Sequence, residues 1–268
     1  MKELKAVKKV IKEAGEEAMN FYGDKLDPDT HYKSEDSPVT KADLASEEVI
    51  LDKLKKFDYG ILSEETSQEN DRLNQDKVWI IDPLDGTKDF LQQTGEFTIM
   101  IGLVENGESV LGAVYRPSKD VLYFASKDGG AYKQIGDKDP VQIFVSSDFE
   151  PEKMTMLVSR NHLLPTEQEV AEKLTIGKLK PCGSAGLKTS KIAEGNAEVY
   201  INSSDKTSEW DICASDIILS EAGGKITDTK GEEIAYNKED PTNKLGFIVS
   251  NGEQHDQIIK IFNEEKQK

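Results

Sequence analysis

Cysteine is scarce. The 268-residue chain holds two, Cys182 and Cys213, and no C-x-x-C spacing. This excludes a disulfide-stapled scaffold and a cysteine zinc site, and it fits a reducing, cytoplasmic compartment. Histidine is rarer than a His-built metal centre needs: His31, His162 and His255 are scattered along the chain. They read as structural or surface residues, with His162 the one placed to line a cleft because Ser159-Arg160-Asn161 leads into it from a strand. Long apolar runs are missing. The longest, Phe97 to Val104, is too short to span a bilayer, and the charged, amphipathic start from Met1 to Val10 does not read as a signal peptide. Positive charge is also short: 34 Lys and Arg stand against 51 Asp and Glu, a net charge of -17. Nucleic-acid backbones and anionic membrane surfaces are therefore excluded as partners. An anionic small molecule remains compatible if cations gather locally, from bound metal or nearby lysines.

What is present is enough to fold. A hydrophobic fraction of 36% in 268 residues supports one large domain or two tightly joined halves. Leu4, Val7, Ile11, Ala14, Ala18 and Phe21 recur at helical spacing and predict a helix over 2–22. Tyr22 to Pro38 is rich in Asp, Pro, Ser and Gly and reads as a loop, long enough to act as a lid. Thr40 opens a second helix, in which Thr40 and Asp43 fit a capping box. Short strands are expected at Gly60 to Ser63 and Lys77 to Ile81, then an antiparallel meander over Phe97 to Glu105, Ser109 to Arg116 and Val121 to Ser126, with Val141 to Val145 a further strand. Residues 146–154 have linker composition and divide an N-terminal α+β half (1–150) from a C-terminal α/β half (151–268). The second half alternates strands at Thr155, Ile176, Glu198, Lys225 and Gly246 with helices at Thr166, Leu187, Asp211 and Asp256. That pattern favours sheets covered by helices.

Chemistry concentrates in carboxylates at element ends. The strand ending at Ile81 runs into Asp82-Pro83-Leu84-Asp85-Gly86-Thr87; Glu64 and Glu65 follow the preceding strand; Asp211 opens a later helix after Trp210. Hard divalent cations take oxygen ligands, so an Asp/Glu set without Cys or paired His points to Mg²⁺ or Mn²⁺. Two such ions about 3.5–4 Å apart hold the attacking and leaving oxygens of a phosphoryl transfer. Gly86 and Thr87 suit a phosphate, because glycine admits close backbone approach and helix-start N–H groups bind anions. Each member also has an ordinary reading: a turn at Asp85-Gly86, a solvated pair at Glu64-Glu65, a helix cap at Asp43 or Asp211, and a strand terminator at Pro83.

Together these segments resemble the lithium-sensitive, magnesium-dependent phosphomonoesterases that include inositol monophosphatase and fructose-1,6-bisphosphatase. Val39-Thr40-Lys41-Ala42-Asp43, Leu62-Ser63-Glu64-Glu65, Trp79 through Thr87, Glu209-Trp210-Asp211 and Glu221-Ala222-Gly223-Gly224 match in family order. Ser37-Pro38-Val39-Thr40, Lys88 and Gly95-Glu96-Phe97-Thr98 resemble the 3'(2'),5'-bisphosphate nucleotidase branch. The resemblance implies a layered αβαβα sandwich. It also implies a cytoplasmic Mg²⁺-dependent phosphatase of sulfur metabolism, monomeric or homodimeric, with two or three ions, Mn²⁺ as a substitute, and inhibition by Li⁺ and Ca²⁺. The implied substrate is a small phosphorylated nucleotide, adenosine 3',5'-bisphosphate and its sulfated form, with inositol-1-phosphate or fructose-1,6-bisphosphate as alternatives. A non-catalytic metal or nucleotide sensor on the same fold needs only some of these residues. The implied roles are metal binding by Glu64, Asp82, the Leu84 carbonyl, Asp85 and Asp211, and water activation by Asp43, Thr87 and Glu64. Substrate contacts fall to Asp85, Gly86, Thr87, Lys88 and Asp211, and at the nucleoside or its second phosphate to Gly183, Ser184 and Lys188.

Overall fold

In the computed structural model residues 2–23, 31–34, 37–66, 70–160 and 163–266 are described. Helix α1 (Lys2–Met19) leads to an antiparallel pair, β1 (His31–Ser34) and β2 (Ser37–Val39). These strands fall where a loop was expected; residues 24–30 and 35–36 of that stretch, read as long enough for a lid, lie outside the described residues, as does His162. Helix α2 (Lys41–Leu54) follows, then β3 (Gly60–Ser63), β4 (Lys77–Asp85), the short α3 (Thr87–Leu91), β5 (Thr98–Glu105), β6 (Glu108–Arg116), β7 (Val121–Ser126), β8 (Ala131–Ile135) and β9 (Val141–Gln142). Strands β3 to β9 form one sheet in sequence order, parallel only between β3 and β4. The remaining elements are β10 (Thr155–Ser159), α4 (Pro165–Lys173), β11 (Lys178–Cys182), α5 (Ala185–Ala193), β12 (Val199–Asn202), α6 (Cys213–Glu221), β13 (Lys225–Asp228), β14 (Phe247–Ser250) and α7 (His255–Lys266). Their five strands form a second sheet, ordered β11-β10-β12-β14-β13.

The period-two alternation of β4 explains the layering. Val78 and Ile80 pack with Ile192, Ala193, Ile217 and Ile218 of α5 and α6, while Trp79 and Ile81 pack with Val7, Ile11, Ala14 and Ile50 of α1 and α2. Tyr200 and Phe247 close the α5/α6 layer from the second sheet. The far face of that sheet, with Met156, Val158, Val199 and Ile248, is covered by Val170 of α4 and by Ile258 and Phe262 of α7. The order is helices, sheet, helices, sheet, helices, the αβαβα sandwich expected. Among the described residues no helix is long and apolar enough to cross a membrane.

Several boundaries moved for identifiable reasons. Strand β4 does not stop at Ile81 but continues through Asp85, with Asp82 opposite Met100 and Asp85 opposite Thr98. The predicted strand Val141 to Val145 stops at Gln142, because the Ile143 N–H still reaches Ala131 but the Val145 N–H turns to the Ala222 carbonyl at the end of α6. Leu44 on α2, apolar though it is, is 49% exposed. The helix expected from Asp211 is a 3₁₀ turn over Glu209–Asp211 followed by α6, and strand β8 was not foreseen.

Candidate active site

The site begins with an irregularity in β4. Residues three apart on a regular strand point to opposite faces. Here three steps along β4, Asp82 to Asp85, match two along β5, Met100 to Thr98. The extra residue is a β-bulge, and it resets the parity so that both carboxylates face the α5/α6 side. Pro83 sits within it, where a residue lacking an N–H is tolerated. It is therefore part of the bulge rather than a strand terminator.

Asp82, Asp85 and Asp211 bring one carboxylate oxygen each within 4.8 Å of one another. Asp82 Oδ1 accepts the Leu84 N–H at 3.0 Å, and Asp211 Oδ2 accepts the Ser208 N–H at 2.6 Å. The Ser208 bond makes Asp211 part of the 3₁₀ turn's capping box, rather than the N-cap of α6. Burial, and then the charges of Glu64, Asp85 and Asp211, push the Asp82 carboxyl well above the usual carboxylate range. Burial, then Asp85 and Glu64, do the same to Asp211. Three like charges so close are costly when nothing positive joins them, and a hard cation is the partner that oxygen donors of this kind accept. Glu64 continues from β3, its N–H on the Ile81 carbonyl at 3.3 Å, which puts its charge beside Asp82 and Asp211.

Asp85 is the most firmly held. Its Oδ2 accepts from Ser184 Oγ at 2.5 Å, Gly186 N at 2.7 Å and Thr98 Oγ1 at 3.2 Å, while Oδ1 accepts from Ala185 N at 3.1 Å. Ser184 caps α5 by accepting the Leu187 N–H at 2.9 Å, so one hydroxyl both starts the helix and fixes the carboxylate. The approach of α5 is so close that a Cβ on Gly186 would lie 2.0 Å from Met100 Sδ.

Asp43 serves two ends as well. The expected capping box is present: Thr40 N donates to Asp43 Oδ2 at 2.8 Å, and Thr40 Oγ1 accepts the Ala42 N–H at 3.1 Å. The other oxygen, Oδ1, lies 3.2 Å from Thr87 Oγ1, which is equally far from the Leu84 carbonyl. Burial raises the Asp43 carboxyl to about 6. Gly86, with φ +92°, makes the turn from β4 into α3, which carries Thr87 and the half-buried Lys88.

Two expected substrate residues stand differently. Lys188 is 3% exposed, and its Nζ donates to the carbonyls of Ser184 at 2.9 Å and Cys182 at 3.3 Å beneath the Tyr200 ring. Burial lowers its pKa. Its ammonium is thus engaged by the two carbonyls of the 182–184 turn. Gly183 is pressed against α3: an added Cβ would lie 2.4 Å from Asp89 Cγ and 2.5 Å from the Glu96 carbonyl. Its N–H reaches Glu96 Oε2 at 2.9 Å, and Arg160 joins Glu96 to Asp89 through bonds of 2.5 and 3.1 Å.

Sequence reading missed Glu47, Ser46, Thr98, Asp89, Glu96 and Arg160 as supports. Glu47 lies one turn beyond Asp43 on the same face of α2, a signal open to inspection. It accepts from Ser63 Oγ and from the N–H and Oγ1 of Thr66, bracketing Glu64 and Glu65. Ser46 donates to the Pro83 carbonyl at 2.8 Å and so ties α2 to the bulge.

Comparison with known proteins agrees with this architecture. The family model for the inositol monophosphatase family matches residues 2–267. The 3'(2'),5'-bisphosphate nucleotidase CysQ of Salmonella typhimurium is 33% identical over 250 residues, 92% of this chain and 99% of that protein. The structure of CysQ from Bacteroides thetaiotaomicron superposes with a TM-score of 0.78 at 34% identity, covering 93% of this chain and 97% of that one. That of a Thermotoga maritima IMPase gives 0.84 at 28% identity, covering 100% and 99%. The chain belongs to the inositol monophosphatase family of metal-dependent phosphatases, and its cluster of three aspartates, Asp82 and Asp85 buried and Asp211 half-buried, fits metal binding.

Proposed function

We propose that this protein is a Mg²⁺-dependent phosphomonoesterase that removes the 3'-phosphate of adenosine 3',5'-bisphosphate. The observation that carries the reading is the Asp82–Asp85–Asp211 cluster in a chain alike, over 92% of its length, to proteins named for that activity. Asp82, Asp85, Asp211, Glu64 and the Leu84 carbonyl are the proposed ligands. When bound, divalent cations supply the positive charge that activates water and neutralises phosphate oxygens. The chain's own groups do the rest. Asp43 in its charged form accepts the Thr87 hydroxyl proton in a hydrogen bond, which leaves Thr87 Oγ1 to accept from the attacking water and so to orient it. Gly86 gives the phosphate room beside the backbone, and Lys88 supplies a local cation in an acidic protein. Ser184 and the first N–H groups of α5 hold Asp85 against rotation, and Leu84 N–H holds Asp82. Lys188 enters as a support of the Ser184 turn.

Inositol-1-phosphate is the second reading, favoured by the close superposition on the Thermotoga maritima IMPase. Phosphate release from adenosine 3',5'-bisphosphate, inositol-1-phosphate and fructose-1,6-bisphosphate, each with and without Mg²⁺, separates the readings. The nucleotide is expected to be fastest and to require the metal. Equal or greater release from inositol-1-phosphate overturns the substrate assignment, and no Mg²⁺-dependent release from any of the three overturns the enzymatic reading.

A further inference from the structure

Asp211 comes to the cluster from a distant part of the chain, in a single 3₁₀ turn, an element too short to hold a position by its own hydrogen bonds. Its place is set from outside. Two residues before it, Glu209 is fully buried, and its carboxylate accepts the backbone N–H groups of Asn237 at 2.6 Å and Lys238 at 2.9 Å. The same Asn237–Lys238 unit is gripped from its other side by Arg72. That guanidinium, also buried, donates to Asn237 Oδ1 at 2.6 Å and to the Lys238 carbonyl at 2.8 Å, and Asn237 Nδ2 returns a bond to the Arg72 carbonyl at 3.2 Å. Arg72 lies on the connection between β3 and β4, packed so closely on Gly60 that a Cβ there would lie 3.0 Å from Arg72 Cβ. The stitch continues from Glu209 N to the Pro241 carbonyl at 3.0 Å and from Asn243 Nδ2 to the Ser208 carbonyl at 2.7 Å.

We infer that Arg72 and Glu209 are positioning residues of the metal site: opposite charges clasping the 237–238 backbone fix Asp211 against the β3–β4 edge whose strands carry Glu64, Asp82 and Asp85. Arg72 is the anchor on the first sheet, and Glu209 transmits its position to the 3₁₀ turn. Neither touches the reacting atoms. The inference rests on the reading of the aspartate cluster as a metal site.

The test uses the full chain stripped with EDTA and titrated with Mn²⁺, with free Mn²⁺ followed by electron paramagnetic resonance and the melting temperature recorded alongside. Glu209→Gln and Arg72→Met are expected to weaken Mn²⁺ binding about tenfold or more, the scale of lost support around metal ligands, with phosphate release recovering at raised Mn²⁺. Asn237→Gly keeps a backbone already at φ +58° and deletes the two side-chain bonds to Arg72, at Oδ1 and Nδ2, while the backbone bonds to Glu209 and from Arg72 to the Lys238 carbonyl remain. It is expected to weaken binding about threefold, and it decides the matter if the charge-removing variants do not fold. Unchanged Mn²⁺ affinity in these variants, with only the melting temperature lowered, overturns the inference. Asp82→Asn, run in parallel, is expected to lose Mn²⁺ binding outright; binding equal to that of the parent overturns the cluster reading itself.

Discussion

Asp43→Asn is predicted to separate stability from activity. The Asp43 carboxyl is 1% exposed and is raised by burial from 3.8 to about 6. A carboxyl raised in the folded state is held there preferentially with its proton. Below pH 3.8 folded and unfolded chains are both protonated at this position and it contributes nothing; as pH rises through 3.8 to 6 the folded state loses ground, and above 6 the deficit stays constant. A shift of this size corresponds to about 3 kcal/mol, of which about 2 kcal/mol develops between pH 4.5 and 7.5. Asn removes the charge and keeps the contacts workable. Its Oδ1 accepts the Thr40 N–H, and its Nδ2 donates to Thr87 Oγ1, whose own proton turns to the Leu84 carbonyl. Losing charge-assisted bonds returns roughly 1–2 kcal/mol, so the metal-free variant is expected to be about 1–2 kcal/mol more stable than the parent at pH 7.5. It is also expected to be inactive, because Thr87 Oγ1 now receives a donor where the attacking water should donate. Urea unfolding in EDTA from pH 4.5 to 7.5, paired with phosphate release in Mg²⁺, reads both quantities. A variant less stable than the parent at pH 7.5, or a stability difference that does not change with pH, refutes the burial argument; retained turnover refutes the role of Thr87.

Gly183→Ala is expected to cost about 2–4 kcal/mol and most activity, since the new methyl meets Asp89 Cγ and the Glu96 carbonyl well inside contact distance; a melting temperature within two degrees of the parent, a window of about 1 kcal/mol or less, argues against the close approach. Lys188→Met is expected to raise the Michaelis constant and lower turnover together, by loosening the Ser184 turn. A change confined to the Michaelis constant for bisphosphorylated substrates, absent with monophosphates, instead identifies Lys188 as a phosphate ligand. His255 is lodged between Thr227 Oγ1 at 2.9 Å and Ser250 Oγ at 2.8 Å, and burial lowers it to about 4. Its neutral form belongs to the fold, so its contribution is complete above pH 6.5 and is lost as pH falls toward 4, about 2 kcal/mol by pH 5. His255→Gln is expected to flatten that acid-side loss in urea titrations, and an unchanged slope rules it out.

Residue patterns recovered the layers because burial enforces period. The alternation of Val78, Trp79, Ile80 and Ile81 on β4 and the spacing of Val7, Ile11 and Ala14 on α1 have no other satisfactory placement. They failed where one residue's geometry depends on a partner far along the chain. Pro83 looked like the end of a strand, since nothing local shows that β5 will pair beyond it and turn the interruption into a bulge. The burial of Lys188 was not visible either, since it follows from a Ser184 turn, at φ +60°, that aims two carbonyls at the ammonium. The paired role of Asp43 was legible only in half: the capping box is local, whereas the bond to Thr87 requires α2 and α3 to meet. Arg72 carried no signal, and Glu209 entered only as part of the Glu209-Trp210-Asp211 match without a role of its own, because a charged residue in a polar segment reads as solvated until the 237–238 backbone is seen between them.

The bulge at Pro83 makes chain length a functional variable. Substituting Pro83 or Leu84 leaves the count of residues between the two aspartates intact, and with it the bulge. Deleting either one leaves the aspartates two apart on a regularly paired strand, so Asp85 still emerges on the α5/α6 face, but the extra backbone unit that gives Asp82 the Leu84 N–H and Ser46 the Pro83 carbonyl is lost, although every acidic side chain of the site is still encoded. The spacing of Asp82-Pro83-Leu84-Asp85 is thus under a stricter rule than its middle letters. Within this strand a frame-preserving loss of one codon is expected to do what no conservative replacement at the same positions does.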